Sequence, residues 1–227
     1  MSPRVVKEYD ERYMEFVETA GSLFFSKGYE KTSVQQIIEA VGVAKGTFYH
    51  YFGSKKDLLN ALVAHMHQDA LNTVQPILHD KSLNAIEKIE RYFAGVEVWK
   101  ADNKALLLDT LRVIYRDENI LLRTRMKQES LAMGIPILAG LLREGTEAGT
   151  LDIKYPEETA EIIVSMAQAL SDASVAAILS DDHRAETIEQ LERKIYAYNR
   201  SVARVLKLPP DGIRLVSPAS LQVWLSD

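Results

Sequence analysis

TSVQQIIEAVGVAKGTFYHYF, residues 32–52, decides the fold. Val34, Ile37, Ile38 and Val41 fall at i, i+3, i+4 and i+7, one apolar face of a helix, and Thr32-Ser33 ahead of them are residue types that cap helix amino termini. Gly42 supplies a break. Beyond it Lys45, Gly46, Thr47, Tyr49, His50 and Tyr51 crowd hydrogen-bonding and stacking groups into one short stretch, while Phe48 and Phe52, four apart, share an inward face. Two short helices joined by a glycine-containing turn are the pattern of a helix-turn-helix, whose second helix is the one that enters a DNA major groove.

Outward from this stretch the chain keeps reading as helices. Upstream, Tyr13, Phe16, Val17, Ala20, Leu23 and Phe24 hold three-and-four spacing over about 7–27, and Gly28 stops that helix. Downstream, Ser54 before Lys55-Lys56-Asp57 marks the cap of a long helix through Leu58, Leu62 and Met66 to near Gln75. Further helices are expected at about 82–100, 103–115, 118–133 and 136–148, with Gly149 closing the last of these. Pro156, suited to a first helical position, opens another to about 180. A final long helix, 184–206, carries Ile188, Leu191, Ile195, Tyr198, Val202 and Val205 at alternating spacings of 3 and 4, a heptad seam. Pro209-Pro210-Asp211-Gly212 ends it, and a short tail helix is expected after Ser217-Pro218. No alternating strand pattern persists, so the fold class is all-α.

The run from Tyr13 to Leu62, with FFSKGYEKTS followed by IIEAVGVAKGTFYHYFGSKKDLL, resembles the TetR family of transcriptional regulators. Glycine, aromatic pair and lysine stand in the family's order. The resemblance implies a three-helix, amino-terminal DNA-binding domain (residues 1–56) and a helical bundle (57–227) that dimerises and binds a small effector. It further implies that Lys45, Gly46 and Thr47 lie near base edges, Gly46 letting backbone approach DNA closely. Tyr49, His50, Tyr51 and Lys55 would then hold phosphates, Thr32 and Ser33 would offer hydroxyls and a helix amino terminus to the backbone, and Gln35 would reach a base. The partner implied is a palindromic double-stranded operator bound by a homodimer, and the implied activity is that of a ligand-responsive repressor. Beyond about Ala70 the likeness rests only on helicity and length.

Composition is compatible with this. The net charge of −5 is unevenly placed: residues 1–60 hold 8 Lys/Arg against 8 Asp/Glu, leaving 19 against 24 for the rest. From Lys27 to Lys56 five lysines face only Glu30 and Glu39, and a local positive charge is what counts near phosphates, because screening cuts off beyond roughly 8–10 Å. Absence of cysteine excludes disulfides and thiolate metal sites and fits a reducing compartment, with the cytoplasm as the default. The start MSPRVVKEYDERY lacks the apolar core of a signal peptide, and no segment is read as a membrane span.

The remaining patterns admit two readings each. His65 and His67 diverge on a helix while His79 and His183 stand alone, so no metal is expected. Nor is there a nucleophile elbow, a phosphate-binding glycine loop or a His-Glu-x-x-His motif, so no catalytic residue and no cofactor is assigned, and the chain is not read as an enzyme. Tyr92, Phe93, Trp99, Tyr115, Met126 and Met133 stand where the family builds its effector cavity, which would suit a small apolar or amphipathic molecule; a helical core uses the same residue types. Arg112, with Asp109 and Arg116, either faces solvent or turns inward to anchor an acidic effector. The Ala/Ser-rich helix after Pro156 and the seam of Ile188, Leu191, Ile195, Tyr198 and Val202 give either a four-helix dimer interface or the subunit's own core. Rival functions are an activator, a regulator controlled by a partner protein, and a helical ligand-binding or enzymatic bundle whose helix-turn-helix no longer functions.

Overall fold

The structure, a computed structural model, describes residues 3–180 and 185–225. Ten α-helices and one short 3₁₀ turn are found there, without a strand. They are α1 (Pro3–Lys27), α2 (Val34–Val41), α3 (Lys45–Tyr51), α4 (Lys55–His79), α5 (Ala85–Asp102), α6 (Lys104–Ile114), the 3₁₀ turn Asp117–Asn119, α7 (Ile120–Glu147), α8 (Pro156–Leu179), α9 (Ala185–Val205) and α10 (Ala219–Leu225). The expected all-α class is what the chain adopts. His183 and the expected helix start at Arg184 lie outside the described residues.

Two helices run on where proline suggested a boundary. Residues expected as separate helices at 118–133 and 136–148 form the single α7, with Pro136 inside it, and α4 passes through Pro76 to His79. A proline in a helix removes one N–H and crowds the preceding turn at a cost of about 3 kcal/mol. In α7 the loss is offset by packing just beyond it, where Leu138, Ala139, Leu141 and Leu142 are all buried.

The chain divides into two compact units. The first reaches to Asp69 and adds Asn103–Arg123; the second holds Ala70–Asp102 and Thr124 onward. The resemblance implies a division at 56/57; the packing units divide elsewhere because α6 joins the helices of the first unit. In the first unit α1 is the spine: Phe16, Val17, Ala20 and Phe24 are buried, facing Ile37 and Ile38 of α2, Phe48 of α3 and Leu58, Leu59 and Leu62 of α4. Gly21 brings α1 close to α4, since a Cβ there would lie 3.2 Å from Leu62 Cδ1. Helix α6 also packs on α1, burying Val113 and Ile114, so a segment expected to belong wholly to the effector domain is part of the unit that carries the helix-turn-helix.

In the second unit the core gathers Ile89 of α5, Leu138 and Leu142 of α7, Ala160 and Ile163 of α8, and Leu191, Ile195, Tyr198 and Val202 of α9. The tail closes over it. Asn199 Nδ2 donates to the Val216 carbonyl (2.8 Å), its Oδ1 accepts from the N–H groups of Leu215 (3.0 Å) and Val216 (3.2 Å), and Ile213, Leu215 and Leu221 are buried. Helix α8 corrects the expectation about membrane spans: by length and composition it is apolar enough to cross one, and only 22% of its most apolar stretch is buried in the chain. The outward side of α8 leaves Ile162 53% exposed, with Ser165, Ala169 and Ala176 also exposed.

Candidate nucleic-acid interface

The two short helices are fixed by local chemistry. Ser33 is the N-cap of α2: its Oγ accepts from the Gln36 N–H (3.2 Å), and Gln36 Oε1 accepts from the Ser33 N–H (2.9 Å), a reciprocal capping box. Gly42 ends α2 in the left-handed region, φ 74°, which glycine adopts without a Cβ clash. The turn then delivers α3 at Lys45. Ser54 caps α4 through Asp57, whose N–H donates to Ser54 Oγ (3.1 Å).

Helix α3 is held by rings. Phe48 is completely buried and Phe52 nearly so, with Phe16 meeting both at centroid distances of 5.6 and 5.8 Å. Tyr13 stacks on Phe52 at 5.0 Å and Tyr9 on Tyr51 at 4.6 Å. With Phe48 as the inward anchor, Lys45, Gly46, Tyr49 and His50 are left exposed, Thr47 and Tyr51 half-buried. Lys45 Nζ stands 6.0 Å from the Tyr49 ring centroid. Gln35, exposed on α2, donates to Glu39 Oε1 (2.8 Å).

Thr32 and Lys55 sit differently from what the resemblance implied. Thr32 is fully buried, and its hydroxyl donates inward to the carbonyls of Gly28 (2.8 Å) and Leu23 (3.3 Å), which corrects its reading as a phosphate ligand. It closes the α1–α2 turn by joining the residue before the α2 cap to the end of α1. The ammonium of Lys55 donates to the carbonyls of Tyr29 (2.8 Å) and Thr32 (3.0 Å) and stands 4.1 Å above the Tyr29 ring. Burial lowers its pKa below the usual lysine value, with nearby Glu30 acting in the opposite sense. Lys55 therefore ties the start of α4 to the α1–α2 turn, using two of its three N–H groups there.

Sequence reasoning did not find the partner of Arg116, which reaches Glu30 at 2.6 Å from just beyond α6. The pair neutralises one of the two carboxylates among the lysines of the head. Lys27, Lys31, Lys45 and Lys56 remain exposed. Nothing in local spacing pairs residues 86 apart, so this contact had no sequence signal. Tyr9 did have one: it lies four before Tyr13 on the same face.

The expected effector residues are divided between the units. Tyr92, Phe93, Trp99, Met126 and Met133 are half-buried in the second unit, with Tyr92 and Phe93 edge to face at 5.4 Å. Arg112 and Tyr115 belong to the first. Arg112 is exposed and pairs along its own helix with Asp109 (3.2 Å), the solvated alternative, and Tyr115 lies under the Arg123 guanidinium at 5.0 Å. Of the heptad seam, Leu191, Ile195, Tyr198 and Val202 are buried in their own unit and Ile188 is half-buried. Of the two readings of the seam, this burial favours the subunit's own core, since side chains enclosed by their own subunit leave little surface for a partner. Tyr198 shows the depth, because burial pushes its hydroxyl pKa above the ordinary tyrosine value. On α9 it is Tyr196 (61%) and Val205 (36%) that face out. Among the described residues no group of three His, Asp or Glu is placed to hold a metal ion.

Gly46 supports one direct prediction. A Cβ built there meets nothing within 4 Å, so packing does not require glycine, and alanine should hold or raise stability by about 0.5–1 kcal/mol. If backbone approaches DNA at this point, Gly46→Ala should instead weaken operator binding several-fold. Thermal unfolding and fluorescence anisotropy on the same preparation separate the two effects.

Residues 16–62 match the family model described as bacterial regulatory proteins, tetR family. An HTH-type transcriptional regulator of Bacillus subtilis, YfiR, is 36% identical over 64 residues, 28% of this chain and 31% of that protein. The chain thus matches about a third of that relative's length. The fatty acid metabolism regulator protein of Bacillus subtilis is 27% identical over 150 residues, 64% of this chain and 74% of the relative. Among solved structures, a transcriptional regulator from Cytophaga hutchinsonii superposes with a TM-score of 0.61 at 18% identity, over 85% of this chain and 95% of that one. At that identity the match speaks for the fold.

Proposed function

We propose, from the premise that the chain belongs to the tetR family of bacterial regulatory proteins, that it is a DNA-binding transcriptional repressor, cytoplasmic, whose operator affinity is set by a small effector. The observation that carries this reading is α3: a seven-residue helix anchored by buried Phe48 and presenting Lys45, Gly46, Tyr49 and His50 outward. Lys45, Gly46 and Thr47 face base edges, Gln35 reaches a base from α2, and Tyr49, His50, Tyr51 and Ser33 hold phosphates. Lys55 contributes charge from its place on the α1–α2 turn.

The working unit is a homodimer formed by the outer faces of α8 and α9. Its support is the side of α8 left uncovered in the single chain, where Ile162, Ala169 and Ala176 are exposed, together with Tyr196 and Val205 on α9. A second copy covers such a face without lipid. Two recognition helices related by a twofold axis require operator half-sites roughly 34–36 Å apart, or a multiple. The effector is apolar or amphipathic and is held by the second unit, near Tyr92, Phe93, Trp99, Met126 and Met133. A relative named for fatty acid metabolism makes fatty acids the first compounds to test.

Anisotropy on a duplex selected from a random pool, against a scrambled duplex, tests the DNA reading: binding should weaken steeply with salt, and Lys45→Ala should alter sequence preference by about 1–3 kcal/mol. Linkage tests the effector. A compound that lowers operator affinity tenfold, a coupling of about 1.4 kcal/mol, must bind tenfold more weakly to the operator-bound dimer. Quenching of Trp99 in a Trp224→Phe background, titrated with and without duplex, reports it. An affinity indifferent to DNA would shift control to a partner protein.

A further inference from the structure

The aromatic spine of α1 does not end inside the core. Phe16 is fully buried, Tyr13 half-buried and Tyr9, two turns nearer the amino terminus, is 42% exposed. Each ring meets α3 or its C-cap: Phe16 on Phe48, Tyr13 on Phe52, Tyr9 on Tyr51 at 4.6 Å. Tyr9 also stands 6.0 Å from the His50 ring at 82°, and His50 in turn meets Tyr51 at 5.2 Å and 85°. The three rings form a closed triangle at the surface, two of whose corners are assigned to DNA contact while the third comes from another helix.

We propose that Tyr9 is a positioning residue for DNA binding, its ring holding His50 and Tyr51 in the rotamers that meet the phosphate backbone. This rests on the reading of α3 as the recognition helix. The physical reason is entropic. A half-exposed aromatic side chain on a seven-residue helix samples several rotamers, and ordering it on binding costs affinity unless a neighbour has already ordered it. Tyr13 and Phe16 secure Phe52 and Phe48, which are buried whether DNA is present or not. Tyr51 is also met by buried Phe16 at 5.8 Å, whereas the ring contacts of Tyr9 are with half-buried Tyr51 and exposed His50, so its stacking affects contacts more than the fold. The ring is the working part, since the stacking geometry uses faces and edges and not the hydroxyl.

The test uses the full-length chain and a duplex selected by the wild type, with anisotropy well below the unfolding temperature and circular dichroism to verify the fold. Tyr9→Phe should bind within about twofold of wild type, and Tyr9→Ala about threefold to tenfold more weakly, the factor expected for one or two side chains no longer pre-ordered. In a His50→Ala/Tyr51→Phe background, which removes the groups being positioned, adding Tyr9→Ala should change affinity by less than about twofold. A merely structural role would cost the same factor in both backgrounds. The proposal is overturned by that result, by Tyr9→Phe binding as weakly as Tyr9→Ala, or by Tyr9→Ala binding like wild type. If the wild type selects no duplex while the protein is folded, the DNA-binding reading itself fails, an outcome distinct from these three.

Discussion

Ile195→Asp should unfold the second unit and not merely separate two folded subunits. Ile195 is 1% exposed in the single chain, enclosed with Leu191, Tyr198 and Val202 by the subunit's own helices. An aspartate there removes a buried aliphatic side chain and leaves a carboxyl without a partner, together costing about 4 kcal/mol or more. The sign of its pH dependence is determined. Burial raises the carboxyl pKa in the folded state above its unfolded value near 3.9, so the native state binds more protons and stability falls as pH rises through that window. The variant should therefore be least stable near neutral pH and recover partly in acid, whereas Ile195→Asn should lack that recovery. Ile162→Asp, on the outer face of α8, is the contrast: at 53% exposure it should leave monomer stability nearly unchanged but disrupt the dimer. Light scattering with thermal unfolding reads both. A folded monomer from Ile195→Asp would return the interface to the α9 seam.

The contrast between these two positions shows what spacing can and cannot say. The seam on α9 was legible because apolar residues three and four apart must share one helix face. Which neighbour covers the face was not, since a subunit core and a partner helix make the same demand on periodicity. Helix α8 posed the reverse problem: Ala169, Ser165 and Ala176 make its outer side look bland, and only the packed chain leaves it uncovered. In the head, Phe48 and Phe52 were readable as inward residues from the same four-residue spacing that put Lys45, Tyr49 and His50 outside. Thr32 was misread because a threonine ahead of a helix is as well suited to closing a turn as to meeting a phosphate, and the cap itself fell to Ser33. Lys55 and Arg116 could not have been placed. Their partners, the carbonyls of Tyr29 and Thr32 and the carboxylate of Glu30, are chosen by how α4 and α6 return to the α1–α2 turn.

Those returns make the α1–α2 turn a junction. It is tied from inside by the Thr32 hydroxyl, from α4 by Lys55 and from beyond α6 by Arg116. Exposed ion pairs such as Glu30–Arg116 contribute little stability, about 0–1 kcal/mol, and this one joins a segment 86 residues away to the turn. Among the described residues helix α3 shows no such tie to that turn, and its Phe48 is held by ring packing.

Phe48→Ala should consequently be the most damaging single change in the head. Its side chain has no exposed surface and meets Phe16, Tyr49 and Phe52 at centroid distances of 5.6, 5.3 and 5.9 Å. Removing a buried phenyl ring from such a cluster costs about 3–5 kcal/mol, through lost transfer free energy and the cavity left behind. Helix α3 has seven residues and no side-chain cap, so it is too short to persist without that anchor. The variant should lose specific DNA binding because α3 is no longer presented. Amide hydrogen exchange should rise across 45–52 first and then across α2. Tyr49→Ala, one residue along, should behave oppositely: 51% exposed, it should leave the unfolding temperature nearly unchanged while weakening DNA binding directly. The decisive comparison is between loss of affinity and loss of protection. If Phe48→Ala keeps α3 protected from exchange yet fails to bind, Phe48 is a contact residue and the inward face of this helix has been assigned to the wrong side.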